Sequence, residues 1–368
     1  MAKCINCGKE SGLISKTLGV CLDCVRKDFD AVLPHIKKVH SETRKRFELP
    51  YFPPETPDGA KCNFCFNQCQ IGEEETGYCG LRKNKGGKLK GGRAEDGHLS
   101  WYYDNLPTNC VADWVCPGGT KAGYPEFSYS KGVEYGYKNL AVFYQSCSFN
   151  CLFCQNWHFR NGIKSSVKTT AQQLANCVDE KTSCICYFGG DPSTQIIHSI
   201  KTSNLALENK KTKILRICWE TNGSMNQKYL KKIAEISLKS GGCIKFDLKA
   251  HDEKLNLALC GVSNKQTLEN FKFLADYFKK RPDPPFLVAS TLLVPGYVDS
   301  EEVLRIAKFI ASLNPEIPYS LLAFYPCFYM MDLPKTSKNH ALECKEKAES
   351  CGLLKVKVGN VRLLSDAY

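Results

Sequence analysis

Three cysteines carry the clearest chemistry in the sequence, in Cys147-Ser148-Phe149-Asn150-Cys151-Leu152-Phe153-Cys154. Three thiolates at this spacing can ligate three irons of a [4Fe-4S] cubane, whereas a fourth thiolate would saturate it. The remaining iron is then open to the amino and carboxylate groups of a bound molecule. The next cysteine, Cys177, lies in a predicted helix and is not a fourth ligand of this motif. The spacing therefore predicts an iron–sulfur centre with one open coordination position.

A second group of cysteines opens the chain as Cys4-x2-Cys7-x13-Cys21-x2-Cys24. Two such pairs have the spacing of a zinc ribbon, in which four thiolates close a tetrahedron around one ion. So short a segment folds poorly without a metal. We expect structural Zn²⁺ here, with a rubredoxin-like iron as the alternative.

A third group follows as Cys62-x2-Cys65-x3-Cys69-x9-Cys79. Four thiolates at these intervals are suited to zinc or to a second [4Fe-4S] cluster, and the spacing leaves both open. Between the Cys4–Cys24 group and this one lies a proline-rich stretch, residues 50–59, which indicates a stiff linker. We therefore expect a zinc-ribbon-like module with a helix at 1–48, a second Cys-rich module at 60–95 and an irregular connecting segment at 96–138.

From residue 139 onward, short apolar runs alternate with amphipathic ones, which predicts a core domain at 139–368. The predicted strands are Leu140–Ser146, Cys184–Phe188, Ile214–Trp219, Cys243–Asp247, Phe286–Val294 and Tyr319–Phe324. The predicted helices between and after them include Ala171–Val178, Ser193–Leu207, Asn226–Leu238, Gln266–Lys279, Ser300–Leu313 and His340–Ser350. This alternation indicates an α/β fold with a parallel sheet, either open or closed as a barrel.

In both arrangements, the open sheet and the barrel, functional sites lie at the C-terminal ends of the parallel strands. The cysteine triad follows the first predicted strand, and polar or glycine-rich segments follow the next three. These segments are Phe188-Gly189-Gly190-Asp191-Pro192, Glu220-Thr221-Asn222-Gly223 and Asp247-Leu248-Lys249. Each of them alone is compatible with a turn or a local ion pair, but their common position predicts one site.

With these segments in order, the sequence resembles the radical S-adenosylmethionine (SAM) superfamily, and in particular the pyruvate formate-lyase activating enzymes. The resemblance implies a partial (β/α)6 barrel and a [4Fe-4S] cluster that reduces SAM, so that a 5′-deoxyadenosyl radical abstracts hydrogen. It assigns the cluster to Cys147, Cys151 and Cys154. The residues that it places at SAM are Gly189, Gly190, Glu220, Thr221, Asn222, Asp247 and Lys249. By the same resemblance, Glu220, Thr221 and Asp247 surround a monovalent cation.

Residues from about Cys62 to Asn360 also resemble the radical enzymes of the AmmeMemoRadiSam system. The zinc-ribbon-like start and much of 99–138 lie outside that resemblance. The resemblance to the activating enzymes implies a macromolecular substrate, here expected to be a protein, with activase-like hydrogen abstraction or peptide modification as the reaction. Two other enzymatic reactions are alternatives: methyl transfer to a protein, with cobalamin as a further cofactor, and modification of RNA. The alternative to an enzyme is a zinc-binding module that binds nucleic acid.

Composition sets the remaining expectations. The chain has 368 residues, 43% of them hydrophobic, and a formal net charge of +12. The positive charge suits an acidic partner, such as a flavodoxin or ferredoxin electron donor, or RNA. The sequence has no apolar run of membrane-spanning length, and its 22 cysteines are clustered like metal ligands rather than spread like disulfides. We therefore expect no membrane contact and the reducing cytoplasm of an anaerobe.

Overall fold

A computed structural model describes residues 1–164 and 167–368 of the chain. Before the core, the described strands and helices are β1 (Ala2–Lys3), β2 (Glu10–Ser11), α1 (Leu22–Lys27), α2 (Phe29–Lys45), β3 (Ala60–Lys61), β4 (Gln70–Ile71), β5 (Lys83–Lys85), β6 (Lys88–Lys90) and β7 (Leu99–Asn105). The single helix predicted within 1–48 is observed as two helices, α1 and α2, because the backbone at Asp28 between them is not helical (φ −122°, ψ 39°).

The core strands are β8 (Lys138–Tyr144), β9 (Thr182–Gly189), β10 (Arg216–Thr221), β11 (Ile244–Asp247), β12 (Leu287–Leu293), β13 (Tyr319–Ala323) and β14 (Val356–Gly359). The helices that accompany them are α3 (Phe159–Gly162), α4 (Ala171–Asn176), α5 (Ile196–Glu208), α6 (Gln227–Ser240), α7 (Glu253–Cys260), α8 (Lys265–Phe278), α9 (Ser300–Leu313) and α10 (Lys338–Ser350). One 3₁₀ turn, Pro192–Gln195, leads into α5.

In the described part of the chain, β7 to β14 form one eight-stranded sheet whose spatial order follows the sequence. The strands from β8 to β14 are parallel neighbours, and β7 pairs antiparallel with β8. β12 is buried along its whole length, as expected for a parallel strand covered on both faces. The predicted α/β fold class, a partial barrel of parallel strands with a Cys-rich N-terminal extension, is confirmed.

Strand β7 corrects one expectation. It lies in the segment 96–138, for which the sequence indicated no regular element. This edge strand carries three consecutive aromatic residues, Trp101, Tyr102 and Tyr103, and all three are partly exposed. The sequence therefore lacks the alternation of apolar and polar residues that usually predicts a strand.

Helix boundaries in the core follow local signals. α9 spans the predicted residues, because Asp299 caps it by accepting a hydrogen bond from the Glu302 backbone. α10 ends before Gly352, which has φ 88° as helix-terminating glycines commonly do. Among the described residues, no helix is both long and apolar enough to cross a membrane.

Candidate functional site

The three cysteines of the C-x3-C-x2-C motif line a cavity of about 520 Å³ at the C-terminal ends of the parallel strands. The loop that carries them follows β8 directly, and its apolar members Phe149, Leu152 and Phe153 are buried. Backbone hydrogen bonds tie this loop to the end of α7, from Asn150 to the Cys260 carbonyl (2.8 Å) and from Leu152 to the Leu259 carbonyl (3.0 Å). The loop is therefore held between β8 and α7 while its thiols face the cavity.

The side chain of Asn150 connects the cysteine loop to helix α2. Its amide nitrogen lies 2.9 Å from His40 Nδ1 and 2.9 Å from Thr43 Oγ1. Its oxygen accepts a hydrogen bond of 3.3 Å from Arg160, whose other guanidinium nitrogen, Nη1, is buried with no partner among the described residues. Arg160 lines the cavity, so a buried positive charge with an unused donor lies beside the thiols.

The turn after β9 brings backbone close to the cysteine loop. Gly189 has φ +106°, and a Cβ there would meet the Tyr144 backbone nitrogen at 2.5 Å. The Gly190 and Asp191 amides donate hydrogen bonds to the carbonyls of Tyr144 (2.7 Å) and Ser146 (2.8 Å). Side chains at the two glycines are excluded, so the chain can present bare backbone to a bound molecule.

Asp191 has a role that the sequence did not suggest. Its buried carboxylate accepts hydrogen bonds from Thr221 Oγ1 (3.0 Å), the Asn222 amide (2.7 Å) and the Ser193 amide (2.8 Å). Burial raises the pKa of Asp191 above that of an ordinary aspartate, although these donors oppose the shift. Asp191 thus joins the segments after β9 and β10. Its position after two glycines is the one sequence signal that could have indicated this bridge.

Charged groups from β10 and β11 complete the cavity wall. Asp247 and Lys249 form an ion pair, and Glu220 pairs with Lys245 at 3.3 Å. Burial opposes the charge on Lys249, but Asp247 beside it raises the pKa of this ammonium above its ordinary value. The other carboxylate oxygen of Asp247, Oδ1, is buried without a partner in the described structure, so it is available to a bound cation or donor.

The structure brings all the predicted cluster and SAM residues to this one cavity. Its lining includes Cys147, Cys151, Cys154, Gly189, Gly190, Glu220, Thr221, Asn222, Asp247 and Lys249. The donor set fits an iron–sulfur cluster with an amino-acid ligand: three thiols, an unpaired carboxylate oxygen and glycine backbone lie around one open volume.

Four thiols of the N-terminal segment lie close together, those of Cys4, Cys7, Cys21 and Cys24. Among the described residues, they form the one group of three or more metal-binding side chains whose ligand atoms lie within 4.8 Å of one another. The Cys4–Cys24 and Cys7–Cys21 sulfur distances are both 3.7 Å. Sulfurs about 2.3 Å from a tetrahedral zinc are about 3.8 Å apart. The group could therefore hold a single metal ion.

The Cys62–Cys79 group is wider than this and lies against the cysteine loop. Asn67 donates a hydrogen bond of 2.8 Å to the Ser148 carbonyl, and Ser146 Oγ donates one of 3.0 Å to the Cys79 carbonyl. Arg82 stacks on Phe64, and its Nη2 is buried with no partner among the described residues. The Cys62–Cys79 group and the Cys147–Cys154 triad are thus neighbours.

Comparison with known proteins gives a consistent result. Residues 141–310 match the Radical SAM superfamily model. A protein of Methanocaldococcus jannaschii that is provisionally named a glycyl-radical enzyme activating enzyme is 28% identical over 208 residues, which cover 55% of this chain and 73% of that protein. The isethionate sulfite-lyase activating enzyme of Desulfovibrio desulfuricans is 33% identical over 81 residues, 22% of this chain and 24% of that enzyme.

Among solved structures, a domain of the pyruvate-formate lyase-activating enzyme from Bacteroides vulgatus is similar to this chain. It is 18% identical with a TM-score of 0.38, and the match covers 48% of this chain and 98% of that domain. The region matched by the superfamily model begins within β8 and includes the cavity segments after β8, β9, β10 and β11.

Proposed function

Because residues 141–310 make this chain a radical SAM enzyme similar to the activating enzymes, we propose that it directs a SAM-derived radical against a protein or peptide. The observation that carries the proposal is the convergence of the cysteine triad and the three segments predicted to bind SAM on one cavity. When bound, the cluster and SAM supply an electron and a cleavable sulfonium. The residues of the chain hold and orient these groups.

We assign the residues as follows. Cys147, Cys151 and Cys154 ligate three irons, and Arg160 offsets the negative charge of the cluster from its buried position. The carbonyls near Gly189 and Gly190 accept hydrogen bonds from the SAM amino group, since no side chain intervenes. Lys249 would pair with the SAM carboxylate. Glu220, Thr221, Asn222 and Asp247 line its surroundings, where Asp247 Oδ1 is free to meet a monovalent cation.

The test of this assignment is anaerobic reconstitution with iron, sulfide and SAM, with dithionite as reductant. We expect 5′-deoxyadenosine and methionine to form in equal amounts. Cys147→Ala removes a ligand and should abolish this cleavage, whereas Cys344→Ala, a buried thiol in α10, should retain it. Full cleavage by Cys147→Ala would contradict the assignment.

The substrate class rests on the named activating enzymes and on the position of the cavity at the open ends of the strands. We propose that a glycine or another backbone or side-chain carbon of a partner protein loses hydrogen. Deuterated candidate peptides should transfer deuterium to 5′-deoxyadenosine, and a glycine target should give a glycyl radical signal by electron paramagnetic resonance. Transfer from RNA, with none from peptides, would overturn this substrate class.

We propose a flavodoxin or ferredoxin as the electron donor, because the chain carries a formal net charge of +12 and such carriers are acidic. The rate of reduction by the carrier should fall as the salt concentration rises, because salt screens the attraction between the two proteins. Rates that do not change between low and high salt would contradict a charge-steered donor.

For the N-terminal cysteines we propose structural zinc at Cys4, Cys7, Cys21 and Cys24, because their sulfurs already match the spacing around one tetrahedral ion. Elemental analysis of chain purified without added iron should find about one zinc per chain. Cys4→Ala should lose it, whereas Cys344→Ala should not.

For Cys62, Cys65, Cys69 and Cys79 we propose a second iron–sulfur cluster rather than zinc. These thiols are spread more widely than a single ion requires, as are those of the triad. The unpaired Nη2 of buried Arg82 provides a donor for an anionic occupant. In a chain that lacks the triad, Cys62→Ala/Cys65→Ala should lose about four irons. Loss of zinc in its place would contradict the proposal.

A further inference from the structure

The inner face of the sheet encloses a second cavity of about 340 Å³ next to the one described above. Cys110, Phe188 and Glu220 line both cavities, so the two share a wall. Six cysteines that belong to none of the three groups line this second cavity. They are Cys110, Cys116, Cys184, Cys186, Cys218 and Cys243.

Strand register brings most of these thiols together. Cys186 on β9 is directly opposite Cys218 on β10, and both point to the inner face. Cys243 immediately precedes β11 and donates its backbone amide to Cys218 Sγ at 3.4 Å. Cys110 comes from the segment between β7 and β8, which is pinned to β13 by a hydrogen bond from Ser320 Oγ to the Val111 carbonyl (2.7 Å).

Four of the six thiols contact either another thiol or the Lys245 ammonium. The Cys218 and Cys243 sulfurs are 4.0 Å apart, and Cys110 and Cys186 lie 3.1 and 2.9 Å from the same atom, Lys245 Nζ. The other two sulfurs are turned to protein oxygens. Cys184 donates to Asn139 Oδ1 (3.3 Å) and Cys116 lies 3.9 Å from the Asp113 carbonyl.

Packing of small apolar side chains does not account for this arrangement. Lys245 is 1% exposed, on an inward position of β11 that an apolar residue would fill in an ordinary core. A buried ammonium is costly unless anions surround it, and Glu220 at 3.3 Å supplies one of them. A cation within a set of thiols favours their thiolate forms, which are the forms that bind metals.

We propose that Cys110, Cys186, Cys218 and Cys243 hold an iron–sulfur cluster of the [2Fe-2S] type inside the barrel, with Lys245 donating hydrogen bonds to its sulfur ligands. A cluster of this type takes four thiolates. The four sulfurs are spaced more widely than the ligands of a single metal ion. In this spacing they resemble the sulfurs of the Cys147–Cys154 triad and differ from those of Cys4–Cys24. The shared wall places this centre beside any substrate that reaches the SAM cavity.

The test uses full-length chain in which Cys147, Cys151 and Cys154 are all replaced by Ala, so that its outcome does not depend on SAM cleavage. After anaerobic reconstitution, adding Cys218→Ala/Cys243→Ala should remove about two irons and two sulfides per chain, together with one Mössbauer component. Adding Cys344→Ala, which removes a buried thiol in α10, should leave both measurements unchanged.

Cys110→Ala provides a second variant that does not alter the sheet, since Cys110 lies in the segment between β7 and β8. It should lose the same Mössbauer component while circular dichroism stays that of the parent. The proposal fails if the iron count and spectrum are the same with and without these thiols. It fails equally if Cys62→Ala/Cys65→Ala removes all the remaining iron, or if the cavity takes up zinc alone.

Discussion

At the scale of single residues, Asp191 connects two parts of the site that are 30 residues apart in sequence, through its bonds to Thr221. Two neighbouring amides, those of Ser193 and Asn222, also point at its carboxylate. The position of the segment after β10 therefore depends on hydrogen bonds to a carboxyl group in the segment after β9.

Asp191→Asn should weaken SAM binding by about tenfold, because an amide nitrogen would face donors that now point at a carboxylate oxygen. Isothermal titration of SAM into reconstituted protein measures this change. Asp276→Asn, on the exposed face of α8, is the matched control. Equal affinities for the two variants would show that the bridge does not organise the site.

Gly189 tests the requirement for bare backbone. Gly189→Ala should lower the free energy of unfolding by about 3 kcal/mol or more, because a methyl group would meet the β8 backbone as well as strain the positive φ. Gly136 has φ +81° with open space around it, so Gly136→Ala should cost only about 1 kcal/mol. Denaturant titration of both variants gives the difference, and similar losses would mean that crowding by β8 has no effect.

At the scale of elements, His198 joins α5 to β8 and to the segment before α4. Its Nδ1 lies 2.9 Å from Tyr144 Oη and its Nε2 lies 2.9 Å from the Thr169 carbonyl. Burial lowers the pKa of His198 to about 4. The folded protein thus keeps this ring neutral at a pH where the unfolded chain, with a pKa near 6.5, takes up a proton.

The consequence for stability has a definite sign. Between pH 6.5 and 4 the unfolded chain binds a proton at His198 that the folded chain does not, so the free energy of unfolding falls as pH falls. The loss reaches about 3 kcal/mol at pH 4. His198→Gln keeps a donor and an acceptor but cannot titrate, and its denaturation curve should lose that much of the pH dependence. The exposed His158→Gln is the control, and parallel pH profiles for wild type and His198→Gln would contradict the prediction.

At the scale of the whole molecule, the N-terminal module is attached to the loop after β12. Tyr297 Oη accepts a hydrogen bond from the Ser15 amide (3.0 Å) and donates one to the Val20 carbonyl (2.9 Å). Arg26 pairs with Asp299 through two hydrogen bonds of 2.7 and 2.8 Å. These contacts join the cysteine-bearing turns to the N-terminal cap of α9.

Removal of the metal should therefore affect two distant parts of the chain. With a zinc chelator, we expect faster hydrogen–deuterium exchange in residues 1–28 and also in 294–302, because the Tyr297 and Arg26 contacts depend on the folded module. Peptides over β9 serve as the internal control. Unchanged exchange in 294–302 would mean that the module and the core are energetically independent.

The sequence was sufficient for the local features of the core. The approximate positions of most strands and helices from β8 to α10 followed from hydrophobic periodicity, because this signal acts over a few residues. The caps at Asp299 and Gly352 are local signals of the same kind. Short or exposed elements escaped prediction: α7 has only eight residues, and β7 lies on the edge with its aromatics exposed. Such elements form because neighbouring segments pair with them or cover them.

By itself, then, the sequence determined the types of ligand, their spacing and their places at strand ends, all of which are properties of contiguous residues. Only the tertiary structure decided which groups meet. In the described structure the thiols of Cys4–Cys24 lie close enough to bind one ion, whereas those of Cys62–Cys79 do not. Asp191 accepts a hydrogen bond from Thr221, and Cys110 lies beside Lys245, which is 135 residues away in sequence. Contacts of this kind depend on strand register and on the path of the intervening chain, and neither can be read from the spacing of residues in one sequence.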